Sequence, residues 1–183
     1  NAAVDAMKER LTRYIGETGN SVNVFTFHSF GMKVIEENYA HLGFKKAPRL
    51  LESLDRAILF DEILNSNDWQ HLRPRSDSMR YFEDLKSLIS LLKRERITAK
   101  EFGVAVKQEI KFLERDEGSL STRGETKAEL KKESLKEIES LERSGEVVKF
   151  IELYEKAKKE KNLLDYDDVL ESLVELVENS KEV

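Results

Sequence analysis

The residues best suited to chemistry lie in Val22-Asn23-Val24-Phe25-Thr26-Phe27-His28-Ser29-Phe30-Gly31. At Thr26 the run changes from β-branched and aromatic residues to hydroxyls and an imidazole. Thr26, His28 and Ser29, beside the free N–H groups of a helix start, could hold an anion such as a nucleic-acid phosphate. The plainer alternative is a structural corner, with Ser29 capping a helix and His28 filling space. Other chemistries find less support. No Gly is followed by Lys, so the phosphate-cradling loop of nucleotide hydrolases is missing. Asp61-Glu62 resembles a magnesium-binding pair but falls inside an amphipathic helical pattern, not at a strand end. Ser29 and His28 are adjacent, a poor geometry for a triad. Asp165, Asp167 and Asp168 lack calcium-loop spacing, and helix capping explains them better. We therefore assign no catalytic residue, no metal ligand and no cofactor site.

These residues need elements to position them. Val22 to Phe27 has the composition of a buried strand, and Met32, Ile35 and Tyr39 mark a helix after Gly31. Before it, Val4, Met7, Leu11, Tyr14 and Ile15 form one stripe of a helix, and residues 16–21 are turn-rich. Helix, strand and helix imply an α/β layer, so the strand's sheet partners are expected outside this chain, leaving 22–27 a lone or edge strand. From Gly43 the pattern is helix after helix. Lys45–Arg49 reads as a basic linker. Leu54, Ile58, Leu59, Ile63 and Leu64 mark a helix, and residues 65–77 a loop. A helix from about Ser78 buries Phe82, Leu85, Leu88, Ile89 and Leu92. Thr98 and Glu101 form a capping box that opens another helix. Residues 116–127 hold almost nothing to bury and are expected to be mobile. The charged stretch 128–161 is expected to break at Gly145. Asp165 is the expected N-cap of a last helix striped by Tyr166, Val169, Leu170, Leu173, Val174 and Val177. Trp69 and Phe82 are expected in the core. The clusters Lys45-Lys46, Arg73 with Arg75, and Lys93-Arg94 with Arg96 are expected to be solvated surface.

The composition narrows the function classes. Among 183 residues there are 31 Lys+Arg against 36 Asp+Glu, a formal charge of −5, which argues against gripping nucleic acid by bulk charge. A few placed phosphate contacts remain compatible with it. There is no cysteine, and the three His are scattered, so disulfides and thiolate sites are excluded and a histidine metal cluster is not expected. No apolar run approaches the roughly 20 residues of a membrane span. The expected location is cytoplasmic, with no membrane partner. The chain opens at Asn1 without an initiating Met, as a piece of a longer protein would.

Three stretches together resemble the UvrD/Rep/PcrA-type superfamily 1 DNA helicases. Asn1-Ala2-Ala3-Val4-Asp5-Ala6-Met7-Lys8-Glu9-Arg10-Leu11 is similar to that family's motif Ia and the helix after it, with Ala2 at the usual Lys. Thr26-Phe27-His28-Ser29-Phe30-Gly31 is similar to motif Ib. Leu164-Asp165-Tyr166-Asp167-Asp168-Val169-Leu170 resembles the stretch preceding the acidic motif II strand. Between them, Leu88 to Lys93 and Ile97 to Phe102 look like helical domain 1B. The resemblance implies a mainly α fold, with a helical 1B domain at 43–162 inserted in a partial RecA-like α/β domain 1A at 1–42 and 163–183. It further implies part of an ATP-dependent 3′-to-5′ helicase, with ATP and Mg2+ bound elsewhere in the parent protein. Asn1, Thr26, Phe27, His28, Ser29 and Phe30 would then be the DNA-binding residues. The implied partners are single-stranded DNA, a single-strand/duplex junction and the remaining helicase domains. A helicase–nuclease subunit and a non-enzymatic helical interaction domain are the competing readings. A self-contained hydrolase would require turnover by these residues alone.

Overall fold

A computed structural model describes residues 2–72, 80–121 and 129–179. The fold is mainly α, as expected. The chain forms two compact units, one of Asn1–Leu51 with Asn162–Val183, the other of Glu52–Lys161. The expected loop at 65–77 and the expected mobile segment at 116–127 fall partly outside the described residues, as do Asn1, Arg73, Arg75 and Ser78.

The first unit contains α1 (Ala2–Ile15), α2 (Thr18–Ser21), α3 (Phe27–Asn38), β1 (Arg49–Leu50), β2 (Leu163–Leu164) and α8 (Tyr166–Asn179). Its core joins Ile35 of α3 to Leu164, Val169 and Leu176, with Met32, Val34, Leu42, Phe44 and Leu50 packed around them. Gly31 makes this possible. A Cβ there would stand 2.6 Å from Val169 Cγ1 and 2.8 Å from Leu173 Cδ1, so α3 and α8 approach closely only through a missing side chain. Gly19 does the same for α2, because its Cβ would stand 2.5 Å from the backbone nitrogen of Thr12. The sheet is a short parallel ladder pairing Arg49 with Leu163 and Leu50 with Leu164. It continues through the Leu51 N–H, which donates to the Leu164 carbonyl at 2.7 Å. Asn162 adopts φ 58° and donates from its side chain to the Ala47 carbonyl at 2.9 Å, tying the two strand entrances together.

Several expectations for this unit are corrected. Residues 22–26 form no strand. Val22 and Thr26 are extended, but no partner strand among the described residues completes a ladder with them. The strands lie instead at 49–50 and 163–164, at the end of the expected basic linker and at the entrance to the expected last helix. Helix α3 begins at Phe27, not after Gly31, because its cap precedes it. The stripe on α1 contains no buried residue. On α8, Val169 is fully buried as expected, but Leu170, Val174 and Val177 are exposed and Leu176 is buried instead.

The second unit contains α4 (Ser53–Ser66), α5 (Phe82–Arg94), α6 (Ala99–Arg115), a 3-10 turn (Glu117–Ser119) and α7 (Lys132–Lys161). Its core is aromatic. Phe60 meets Phe82 at 5.1 Å, Phe150 at 4.9 Å and Tyr154 at 5.1 Å between ring centroids. The last two contacts are edge-to-face, the arrangement that ring quadrupoles favour. Trp69 is buried beside Phe150, as expected, whereas Phe82 is only half-buried against Phe60. Leu54 and Ile58 are exposed, and Leu59, Phe60, Ile63 and Leu64 form the interior side of α4. The Glu146 carboxylate accepts from three successive backbone N–H groups, Gln70 at 2.7 Å, His71 at 2.8 Å and Leu72 at 3.0 Å. These charge-assisted bonds fasten the end of the 67–72 segment to α7.

Helix α5 ends with Arg96 at φ 55°. The Ile97 N–H donates to Leu92 and the Arg96 N–H to Lys93, a Schellman closure that satisfies the last carbonyls. Thr98 and Glu101 then form the expected capping box of α6. Hydrogen bonds from the Thr98 backbone and then its hydroxyl hold the Glu101 carboxyl below its ordinary range. Residues 116–121, expected to be mobile, have a defined course. A 3-10 turn leads into a bridge between Leu120 and Leu130, and Ser119 is buried. Helix α7 runs unbroken through Gly145, correcting the expected break. A helical Gly costs only about 1 kcal/mol, which burial of Val147, Phe150, Ile151 and Tyr154 on the same helix outweighs.

The two helical glycines should respond oppositely to the same change. Gly31→Ala forces overpacking against Val169 and should destabilise the protein by about 1–3 kcal/mol. Gly145→Ala meets no atom within 4 Å. It should stabilise α7 by roughly 0.5–1 kcal/mol through helix propensity. Urea unfolding of both variants measures this, and an equal gain for Gly31→Ala would show that the close approach of α3 and α8 is not a constraint.

Candidate nucleic-acid interface

The interface is built on the first turn of α3. Thr26 is the N-cap, in extended conformation, and its hydroxyl oxygen accepts the Ser29 N–H at 3.2 Å. In return the Ser29 hydroxyl oxygen accepts the Thr26 N–H at 2.8 Å and donates to the Thr26 carbonyl at 3.0 Å. The cap is thus Thr26, not Ser29, and both hydroxyls already serve the helix start. This placement brings Phe27, His28 and Ser29 to the first three helical positions, where N–H groups point away from the helix.

The rings lie around that turn. Phe27 is 82% exposed, Phe30 50% and Phe25 42%. Phe25 and Phe30 stand 6.3 Å apart in tilted contact, and the Lys33 ammonium lies 5.3 Å from the Phe25 centroid. His28 is half-buried and meets the edge of Tyr166 at 4.9 Å and 89°. Tyr166 is the first residue of α8, and Gly31 farther along α3 meets Val169 and Leu173 farther along α8. The two helices therefore run in the same direction with their amino ends together.

Those ends differ in charge. Helix α8 carries Asp167 and Asp168 in its first turn, and Asp165 caps it in a reciprocal box. The Asp168 N–H donates to Asp165 at 3.0 Å and the Asp165 N–H to Asp168 at 2.8 Å. Asp165 is thus the N-cap, as expected. Helix α3 has no acidic residue in its first turn. Its positive end carries no carboxylate of its own, whereas that of α8 is neutralised from within.

The structure brings Thr26, Phe27, His28, Ser29 and Phe30 onto one turn; Asn1 lies outside the described residues. Sequence reasoning missed Phe25, Lys33 and Tyr166. The Thr-x-x-Ser spacing offered a signal for the earlier helix start. Nothing local announces Tyr166, because it is remote from His28 in the chain. The acidic pair considered for magnesium has structural partners. Asp61 accepts from the Asn65 side chain at 2.7 Å, and Glu62 pairs with Lys161 at 2.6 Å. Neither lies at a strand end, so this pair lacks the setting of a magnesium-binding acidic pair.

A family model described as UvrD/REP helicase N-terminal domain matches residues 1–183. No curated protein matches the chain. Among the described residues, no helix is long and apolar enough to cross a membrane.

The capping role can be separated from any role toward a ligand. Thr26→Ala should cost about 1 kcal/mol, whereas Thr26→Ser, which keeps the acceptor, should cost a small fraction of that. Thermal or urea unfolding of the two variants checks it, and equal losses would assign the effect to packing of the Thr26 methyl group.

Proposed function

The chain belongs to the UvrD/REP helicase N-terminal domain family, and on that basis we propose that it serves an ATP-dependent 3′-to-5′ DNA helicase as its single-strand contact and helical 1B region. In this reading the first unit is part of a RecA-like domain 1A and the second unit is domain 1B. The open apolar positions of the first unit, among them Met7, Ile15, Val22 and Val177, support this, since a RecA-like domain would cover them with further layers. ATP and Mg2+ would be held by other parts of the helicase. The cytoplasm is the proposed location, and the remaining helicase domains and a single-strand/duplex junction are the proposed partners.

The observation that carries the reading is the first turn of α3, where exposed Phe27 and Phe30 flank a helix start without acidic residues. Thr26 and Ser29 shape this turn through their mutual cap. The N–H groups of the turn and the His28 ring lie close to where a phosphate would sit, and the phenyl faces offer stacking surface to any base. Such contacts hold a strand without reading its sequence. Each is weak enough to be released as a motor steps. Asn1 would add a contact from the start of the chain.

In the intact helicase, Phe27→Ala should weaken binding of an unstructured oligonucleotide by about 1–3 kcal/mol and lower DNA-stimulated ATP hydrolysis, at unchanged melting temperature. His28→Ala should weaken it less. Fluorescence anisotropy and a coupled ATPase assay read these effects. Full affinity in both variants would remove this turn from the DNA path. Unwinding of 5′-tailed but not 3′-tailed duplexes would refute the polarity.

A further inference from the structure

The second unit presents another surface, independent of the α3 turn. On α6, Lys100, Lys107, Lys111 and Arg115 are all exposed. Their spacings place them in one line along the helix, about 22 Å long at the helical rise. The inward side of α6 is a different one, carrying Val106 and Leu113 in the core and Gly103 against Val148. Among the described residues, none of the four cations makes an ion pair. Lys107, Lys111 and Arg115 repel one another at i, i+4 intervals, so the line weakens the helix that bears it. In a chain of net charge −5, such a line is out of character with the rest of the molecule, with exposed Glu114, three residues from Lys111, the carboxylate beside it.

Apolar groups accompany it. Val104 is 47% exposed and Phe112 60% exposed on the same side of α6. Phe112, with Gln108, Lys111, Arg115 and Asp116, lines an open depression of about 440 Å³. Asp116 is the acidic group at this rim, and its carboxylate accepts the Ser119 hydroxyl at 3.2 Å. Glu101 is engaged by Thr98 at the start of the helix. A DNA duplex would use the cations, but its bases are stacked inside and leave nothing to set against Phe112 and Val104. A peptide with carboxylates and an apolar side chain matches both.

We propose that this face of α6 docks an acidic segment of a partner protein, with carboxylates on Lys107, Lys111 and Arg115 and one apolar side chain against Phe112. Charge complementarity draws the segment in, and the depression sets its register. The proposal does not depend on DNA binding at α3.

The test is anisotropy with the full chain and a fluorescein-labelled peptide of Asp and Glu residues around a single Phe. Lys111→Glu and Arg115→Glu should each weaken binding about tenfold, with Lys136→Glu on α7 without effect. Phe112→Ser, or replacing the peptide's Phe by Ser, should weaken it severalfold, and added salt should weaken it further. Circular dichroism confirms that each variant is folded. Absence of binding, equal loss with Lys136→Glu, or indifference to both Phe replacements would overturn the proposal. So would a short DNA duplex whose binding, unlike the peptide's, is lost in Lys111→Glu, since α6 would then be a nucleic-acid surface.

Discussion

The first unit depends on one steric allowance, the missing side chain at Gly31. It lets α3 lie against Val169 and Leu173 of α8 at a distance that any Cβ would forbid. Segments that the whole second unit separates in the chain thereby become neighbours. Ile35, Val169 and Leu176 share a core, and the β1–β2 ladder registers the same two segments through backbone hydrogen bonds. Sterics thus decide which helices meet, and the ladder decides how far each is advanced. The contact between His28 and Tyr166 follows from both.

That arrangement also sets the electrostatics of the candidate interface. Two helix amino ends lie together, and their dipoles would favour an anion at either. At α8 the carboxylates of Asp165, Asp167 and Asp168 supply the negative charge internally. At α3 the cap is neutral, built from two hydroxyls, so its own first turn offers no carboxylate to the positive end. The residue types of Thr26 and Ser29 matter here because they satisfy the helix start without cancelling its charge. The hydroxyls are therefore positioning groups first. Backbone N–H groups, the imidazole and the exposed rings are what remains to meet a ligand.

The second unit rests on different physics. Edge-to-face contacts around Phe60 supply its centre, and the Glu146 carboxylate gathers three N–H groups of a segment that has no regular structure to satisfy them. With its interior side turned inward, α6 is left with a line of cations and two exposed apolar side chains facing outward.

Much of this was legible beforehand wherever the cause was local. The capping residues Asp165, Thr98 and Glu101, the apolar side of α5 at Leu85, Ile89 and Leu92, and the core position of Trp69 follow from side chains within a turn or two, or from bulk. The turn carrying Thr26 to Phe30 was also found from residue types. Its hydroxyl cap was placed one turn too late, because the β-branched and aromatic run before it read as a strand. A strand exists only where a second backbone supplies its hydrogen bonds, so composition could not show that 49–50 and 163–164, rather than 22–27, pair within this chain. Likewise Gly145 signalled a break that packing overrode, and Leu54 and Leu170 matched an apolar stripe that no neighbour covers. The sequence by itself determined the caps of α6 and α8, the mainly helical class and the family resemblance. Tertiary structure alone decided which helices touch and which apolar stripes are buried, because each depends on groups far apart along the chain.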